Sequence, residues 1–539
     1  MGFAQRVASF FTGSSRPSAN FGFGSRAYDA GRYDDPRMAG WTPQLAHPDD
    51  EVLTTRDQVV GRARDLARNH PIIVGAVDRK AEAVVGPNIR LEAQPDYETM
   101  GRNADWADDW ATGVESQWNV YANDSRKLCD AARVSTFGGL VETAYRHWMI
   151  DGEACAQVLA IDRGAPFKTA VQLIDPDRLS NPNNLAEGMV LVNGNRVYGG
   201  VEVDQYGAAV AYHIRTEHPG DPSPTFNKFT WIRVLREGPT GTAKFIHAYR
   251  PGRAGQRRGV SKLAAAIKLT RIGDKLDLAT LDAAILNAFM AVSMESPAPT
   301  GDVADAMAPG TGSVDSSWLD GLISFRKEKP VVFRDGPSVM HTFPGEKANV
   351  LTSEHPNGNY PAFEAALLRK VAAATGLSYP QLSQNWADIN YSSARTLLNE
   401  IWRSLLHDRW FFTQAFCTPI FAAWLEEAVL IGRVMIAGGW PNFYKWRAEL
   451  TICEWYGPGR GTIDPKKESD ADETNLHLNS TTLADIGADT GKDPRKVAQR
   501  RAREKRMLTG LGLTDITDVA RRGQVGRPAD APIEDPTNA

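Results

Sequence analysis

The sequence predicts an α+β protein built around long helices, and three observations predict it. Long proline-free runs with apolar residues at helical spacing lie early, midway and late in the chain. Between the first two, residues 154 to 235 break into short Val-, Ile- and Tyr-rich runs separated by Gly, Asn or Pro, the pattern of antiparallel strands. A polar, aromatic loop, Leu377 to Tyr391, separates two of the helical runs.

Residues 1 to about 50 are rich in Gly, Ser, Arg, Asp and Pro without periodicity and read as a mobile arm. Helical patterns follow at Arg56 to Val85 and Thr136 to Met149. Strands are expected at Ala154 to Ile161, Thr169 to Ile174, Met189 to Val192, Val197 to Val203, Ala209 to Ile214 and Trp231 to Leu235. Asn193-Gly194 and Gln205-Tyr206-Gly207 read as hairpin turns, because glycine takes the positive φ these turns need. Ser261 to Val292 holds 32 residues without proline, which as one helix would span about 48 Å, with Gly273 loosening its middle. Ser296 to Asp315 is loose in composition, and Leu322 to Phe333 alternates like strands.

Ala362 to Thr375 has Phe363, Leu367 and Val371 at i, i+4 and i+8, with Pro361 at its start and Gly376 at its end, so it reads as a helix with a stop. The next helix is expected to start at Ser392 or Ser393 as N-cap and to run from Ala394 to Leu430, kinked where Pro419 cannot donate its backbone bond. Its aromatic residues Trp402, Trp410, Phe411, Phe412, Phe416, Phe421 and Trp424 read as packing. A basic helical region, Lys492 to Arg506, and a Pro-, Asp- and Gly-rich tail from about Arg522, expected to be disordered, complete the chain.

Composition narrows the function classes. The 539 residues suffice for two to four structural units, and 42% hydrophobic with 23% charged residues is ordinary for a soluble globular protein. Cys129, Cys155, Cys417 and Cys453 are widely spaced and form no C-x-x-C pair, so buried thiols are expected and neither a zinc site nor a disulfide framework is. The start MGFAQRVASFF lacks the run of a signal peptide, and no window is apolar enough to span a membrane. With 61 basic and 65 acidic residues the net charge is −4, which argues against a dedicated high-affinity nucleic-acid binder.

Four segments, in order, resemble the lambda family of phage portal proteins. They are RARDLARNHPIIVGAVDRKAEAVVGPNIRL (Arg62 to Leu91), GLSYPQLSQNWADINYSSARTLLNEIWR (Gly376 to Arg403), WYGPGRGTIDPKKESDA (Trp455 to Ala471) and GADTGKDPRKVAQRRAREKRMLTGLGL (Gly487 to Leu513), so the resemblance spans roughly residues 30 to 515. It implies a portal fold: an arm (1–50), an α+β wing (51–260), stem helices (261–292 and 361–376) around a small α/β clip (293–360), and a channel loop (377–391). A long kinked helix returning to the wing (392–455), a helical crown (456–515) and a disordered tail (516–539) complete it. The resemblance further implies a dodecameric homo-oligomeric ring in the virion, at the capsid vertex, assembled in the host cytoplasm. Its partners would be the terminase large subunit, the major capsid and scaffold proteins, head-tail connector (neck) proteins, and double-stranded DNA passing through; no membrane is involved.

No catalytic residue, cofactor or metal is expected. Gly487-Ala-Asp-Thr-Gly491-Lys492 is one residue short of a P-loop and ends in Asp493; H-E-x-x-H, G-x-S-x-G and G-x-G-x-x-G are absent. His47-Pro-Asp-Asp50 is better explained by turn formation than by a metal or acid-base site. The expected channel-loop residues are Ser383, Gln384, Asn385, Trp386, Asn390 and Tyr391, uncharged groups that exchange weak hydrogen bonds or stack transiently with a sliding duplex. Lys275 and Lys370 are expected DNA contacts on the stem. Arg495, Lys496, Arg500 and Arg501 either neutralise phosphates or form a solvated face paired with Glu504 and neighbouring acids. Two alternatives stay open: a nuclease or motor ATPase, against which the missing P-loop and lack of a carboxylate cluster count, and a scaffold protein that forms no ring.

Overall fold

The computed structural model describes residues 40–222, 229–288, 291–295, 317–328, 347–351, 359–387, 390–461 and 464–513. The expected loose segment at 296–315, the disordered tail and most of the arm lie outside them. The arm ends earlier than expected: α1 (Pro48–Leu53) begins inside it, capped by His47, whose Nδ1 accepts from the Asp49 amide at 3.2 Å. Asp49 is buried and pairs with Arg257, so the His-Pro-Asp-Asp segment starts a helix and anchors it.

Helices α2 (Arg56–Asn69) and α3 (Pro71–Val84) follow, then β1 (Arg90–Ala93), α4 (Ala104–Ala122) and α5 (Phe137–Ile150). The sequence reading did not include α4, although Asn103 caps it by accepting from the Trp106 amide at 3.1 Å. Strands β2 (Glu153–Ala160), β3 (Thr169–Ile174) and β9 (Phe245–Tyr249) form one antiparallel sheet in the order β3-β2-β9. A five-stranded antiparallel sheet runs in sequence order through β4 (Met189–Val190), β5 (Arg196–Tyr198), β6 (Val201–Val203), β7 (Ala209–Arg215) and β8 (Trp231–Leu235).

Both expected hairpin turns are present, with Gly194 at φ 85° and Gly207 at φ 84°. The expected single strand Val197 to Val203 is instead a third hairpin, because Gly199 and Gly200 both adopt positive φ and fold β5 back on β6. An apolar layer of Ile174, Val201, Val203, Tyr212, Ile214 and Phe245 packs the two sheets together.

α6 (Ala264–Ala288) is shorter than the expected 32-residue helix, since its last residues pass into β10 (Ala291–Glu295), paired antiparallel with β11 (Lys347–Leu351). Gly273 does not loosen it. A Cβ there would lie 3.0 Å from Leu367 Cδ2, so the glycine lets α6 approach α8 (Tyr360–Thr375) closely. Of the segment expected to alternate like strands, Leu322 to Phe333, residues 322–328 form the second half of α7 (Ser317–Glu328) and 329–333 lie outside the described residues: Trp318, Leu319, Leu322 and Ile323 already follow a helical period that a window opened at Leu322 cuts off.

α9 (Tyr379–Ser383) lies within the expected loop, and α10 (Tyr391–Leu430) is one 40-residue helix that continues through Pro419. Phe412, Phe416, Phe421 and Trp424 of α10 are fully buried, and Trp424 and Phe421 meet Trp118 edge to face with ring centroids 5.1 and 5.8 Å away. Trp410 departs from the packing reading and is exposed. The chain closes through α11 (Gly439–Lys445), α12 (Arg447–Leu450), β12 (Cys453–Tyr456), α13 (Pro465–His477), α14 (Leu483–Thr490) and α15 (Pro494–Gly510), with β12 pairing antiparallel with β1. All four cysteines are buried free thiols, as expected.

Candidate functional site

The segment after α8 is built from its stop signal outward. Gly376 takes φ 69°, the left-handed conformation that ends a helix without a Cβ penalty, and the Leu377 amide donates back to the Ala372 carbonyl at 3.0 Å. Ser378 then starts α9 through a capping box. Its Oγ accepts from the Gln381 amide at 3.4 Å while its own amide donates to Gln381 Oε1 at 3.2 Å. Leu377 and Leu382 insert into the main core, so the first half of the expected loop is a packed, capped turn of helix. The exposed part starts at Gln384.

Ser383, the last residue of α9, donates from Oγ to the Tyr379 carbonyl at 2.8 Å and accepts from the Asn385 amide at 3.2 Å. Gln384 adopts φ 57° and donates from Nε2 to the Gln381 carbonyl at 2.9 Å. Asn385 accepts from the Ala387 amide at 3.1 Å, a local turn that leaves Trp386 46% exposed. Asn390 is exposed and its carbonyl accepts from the Ala394 amide at 2.9 Å, which makes it the cap of α10. The expected caps Ser392 and Ser393 therefore lie inside the helix, and Tyr391 is its first residue. Residues 388–389 lie outside the described residues.

Lys80, Asp408 and Arg409, all buried, hold the base of this loop together with half-buried Lys262. Lys80 of α3 and Lys262, just before α6, bond the two oxygens of Asp408 on α10 at 3.1 and 2.8 Å. Lys80 Nζ also sits against Gly376, where a Cβ would come within 3.0 Å of it. Burial alone would raise the Asp408 carboxyl, but the two ammonium groups override it and hold it below its ordinary range. Next to it, Arg409 donates to the carbonyls of Val84, Ala83 and Pro458 at 2.8, 2.9 and 2.9 Å; burial lowers its guanidinium to about 10. Gly86 at φ 63° leaves no room for a Cβ, which would fall 2.2 Å from Pro458 Cγ. Four segments distant in sequence, Ala83 to Gly86, Lys262, Asp408 with Arg409, and Gly457 to Pro458, thus meet beneath the loop.

Lys275 on α6 and Lys370 on α8 are exposed and form no ion pair among the described residues. The four basic residues of α15 divide. Arg495 pairs with Asp108 at 2.7 Å, Lys496 with Glu115 at 2.8 Å, and Arg501 with Glu504 at 3.4 Å, whereas Arg500 is exposed. The sequence reading did not connect Lys80, Asp408 and Arg409 to the loop. The Ser378-x-x-Gln381 pattern with Pro380 was the signal available for α9.

Among the described residues, Asp175, Asp177 and His218 bring three ligand-type atoms within 4.8 Å of one another. Arg64 bonds both carboxylates, at 3.1 and 2.6 Å, so this is an ion-pair cluster. Among the described residues, no helix is long and apolar enough to cross a membrane.

Residues 34–409 match the family model described as phage portal protein, lambda family. The chain belongs to that family. It is 29% identical to the portal protein of Escherichia phage N15 over 88% of this chain and 89% of that one. To portal protein B of Escherichia phage lambda it is 28% identical over the same shares. A solved structure, the neck of a native gene transfer agent particle, is 12% identical and aligns with 84% of this chain and 96% of its own, with a TM-score of 0.39. Membership gives the chain a portal role in viral DNA packaging, within a structural and not an enzymatic family.

Proposed function

We propose that twelve copies of this chain close into a ring at one capsid vertex, through which double-stranded DNA enters during packaging and leaves at ejection. The observation that carries this reading is an uncovered apolar ridge on α6. Leu278, Leu281 and Ile285 are 58%, 57% and 46% exposed and recur at i, i+3 and i+7, which places them on one face. An apolar stripe of this kind on a long helix calls for cover by another chain. A second copy applied head to tail supplies it and leads to ring closure.

In this reading the arm ends before α1 (Pro48–Leu53), the wing runs from α1 to residue 260, α6 and α8 are the stem within 261–292 and 361–376, and 293–360 is the clip. Of the segment 377–391 the exposed stretch from Gln384 lines the channel while Leu377 to Leu382 packs at its base; 392–455 returns to the wing, 456–515 is the crown and 516–539 the tail. Ser383, Gln384, Asn385, Trp386, Asn390 and Tyr391 border the passing duplex, with Lys275 and Lys370 as basic contacts on the stem. The clip meets the terminase large subunit and later the neck proteins, and the major capsid and scaffold proteins are further partners. The protein resides in the virion after assembly in the host cytoplasm. Negative-stain imaging with mass photometry of the purified chain tests the ring: closed rings of twelve copies are expected. Monomers or dimers at all concentrations and salts, with no ring in assembled heads, would favour the scaffold reading.

A further inference from the structure

The basic residues of α15 lie beside an open cleft that the sequence did not reveal. Asn88 and Arg90 at β1, Asn119 of α4, and Lys492, Asp493, Lys496, Val497 and Arg500 around the start of α15 line a cavity of about 430 Å3. Its wall holds four cations and one carboxylate in a chain whose net charge is −4. Glu115 and Asp493 neutralise Lys496 at 2.8 and 3.2 Å, and Asp493 caps α15 by accepting from the Arg495 and Lys496 amides at 2.9 and 3.2 Å. Arg90, Lys492 and Arg500 are exposed and form no ion pair among the described residues. Arg90 donates only a long bond, 3.4 Å, to the Gly491 carbonyl. Three unneutralised cations and two side-chain amides therefore face one cleft. That is donor chemistry suited to phosphate oxygens.

The positive surface continues out of the cleft. α15 carries seven Lys and Arg residues and one acid, Glu504. Arg500 and Arg503 recur at i and i+3 on one face, about 4.5 Å apart along the helix axis, which is on the order of the rise between successive phosphates of one strand. An extended polyanion fits this arrangement better than a single small anion. We propose that the Arg90–Lys492–Arg500 cleft and the adjoining face of α15 form a binding site for the phosphodiester backbone of double-stranded DNA, separate from the Leu377 to Tyr391 loop. Arg495 and Lys496 act mainly to dock α15 on α4 through Asp108 and Glu115. The inference rests on the portal reading for the identity of the polyanion.

The test measures binding of a short DNA duplex to the full chain by fluorescence anisotropy as a function of salt, with ring formation imaged on the same samples. The variant R90Q/K492Q/R500Q is compared with R62Q/R68Q/K445Q, which removes three exposed cations elsewhere. The expected result is a salt slope reduced by about 2.7 and an affinity loss on the order of a hundredfold at 0.1 M salt for the cleft variant alone. An unchanged slope, or an equal loss in both variants, overturns the proposal. If the triple variant misfolds, R500Q alone decides it through a slope change of about 0.9. Calorimetric titration with inorganic phosphate separates the sources: phosphate binding abolished by R90Q/K492Q/R500Q while DNA affinity stays unchanged assigns the cleft to free phosphate and overturns the DNA site. Rings with an unaltered slope reject the cleft alone. A cleft-dependent slope on a chain that never closes a ring rejects the portal ring alone.

Discussion

Replacing Asp408 by Asn keeps the side chain's shape and removes the charge on which two lysines converge. Lys80 is 3% exposed and Asp408 5%, and Lys80 has no other ion-pair partner among the described residues. Lys262 is 23% exposed at its side chain and can turn toward water, so its share of the penalty is discounted. Stranding a buried charge costs about 3–5 kcal/mol, and the partial exposure of Lys262 places D408N at about 3 kcal/mol.

The reverse substitution, K80M, removes one buried charge and leaves Asp408 bonded to Lys262 at 2.8 Å with Arg250 at 3.8 Å, so it should cost about 1 kcal/mol or less. Equilibrium urea unfolding followed by tryptophan fluorescence reads both variants. With an m-value of about 3 kcal/mol per M, the midpoint of D408N falls by about 1 M and that of K80M by about 0.3 M or less. A loss in K80M equal to or greater than that in D408N would refute the reasoning, since it would make the Lys80 charge stabilising in itself.

Three further outcomes follow from the same geometry. Gly376→Ala forces a Cβ into a left-handed conformation against Lys80 Nζ, and should cost about 1–2 kcal/mol in the same unfolding experiment. Trp386→Ala, at an exposed loop position, should leave stability within about 0.5 kcal/mol while lowering the yield of DNA-filled heads in a packaging assay; unchanged yield would remove Trp386 from the channel. Although burial raises its pKa, Glu202 is held at about 2 by bonds from Arg233, Asn195 and Asn193, against an ordinary value of 4.5. Because the folded value is the lower one, its stabilisation is complete above about 4.5 and is lost as pH falls toward about 2. Glu202→Gln should therefore flatten the acid limb of the stability curve in that window.

The parts legible in the sequence were those set by local chemistry. Gly194 and Gly207 marked turns because their φ is positive, and the glycine after Thr375 marked the end of α8 for the same reason. Aromatic spacing identified Phe412, Phe416, Phe421 and Trp424 as core. What escaped depended on partners far away in the chain. Nothing local to Lys80 or Asp408 reveals a pairing across 328 positions, and nothing local to Gly86 reveals Pro458 above it. β1 and β12, each four residues long, are stabilised by pairing with each other. The loop boundary was misread for another reason: polar Ser378 and Gln381 look like loop residues until they bond each other's backbone. The division among the basic residues of α15 could not be read either, because Asp108 and Glu115 lie on a helix the periodicity had not identified.

The central claim is that the exposed stretch from Gln384 borders the path of DNA, and site-specific photocrosslinking in packaging-stalled heads tests it most directly. A photoreactive amino acid at position 386, compared with one at exposed Met435 after α10, should label the DNA. Labelling at 386 and none at 435 is the predicted result. DNA labelled equally from both positions, or from neither in heads shown to contain stalled DNA, would contradict the account.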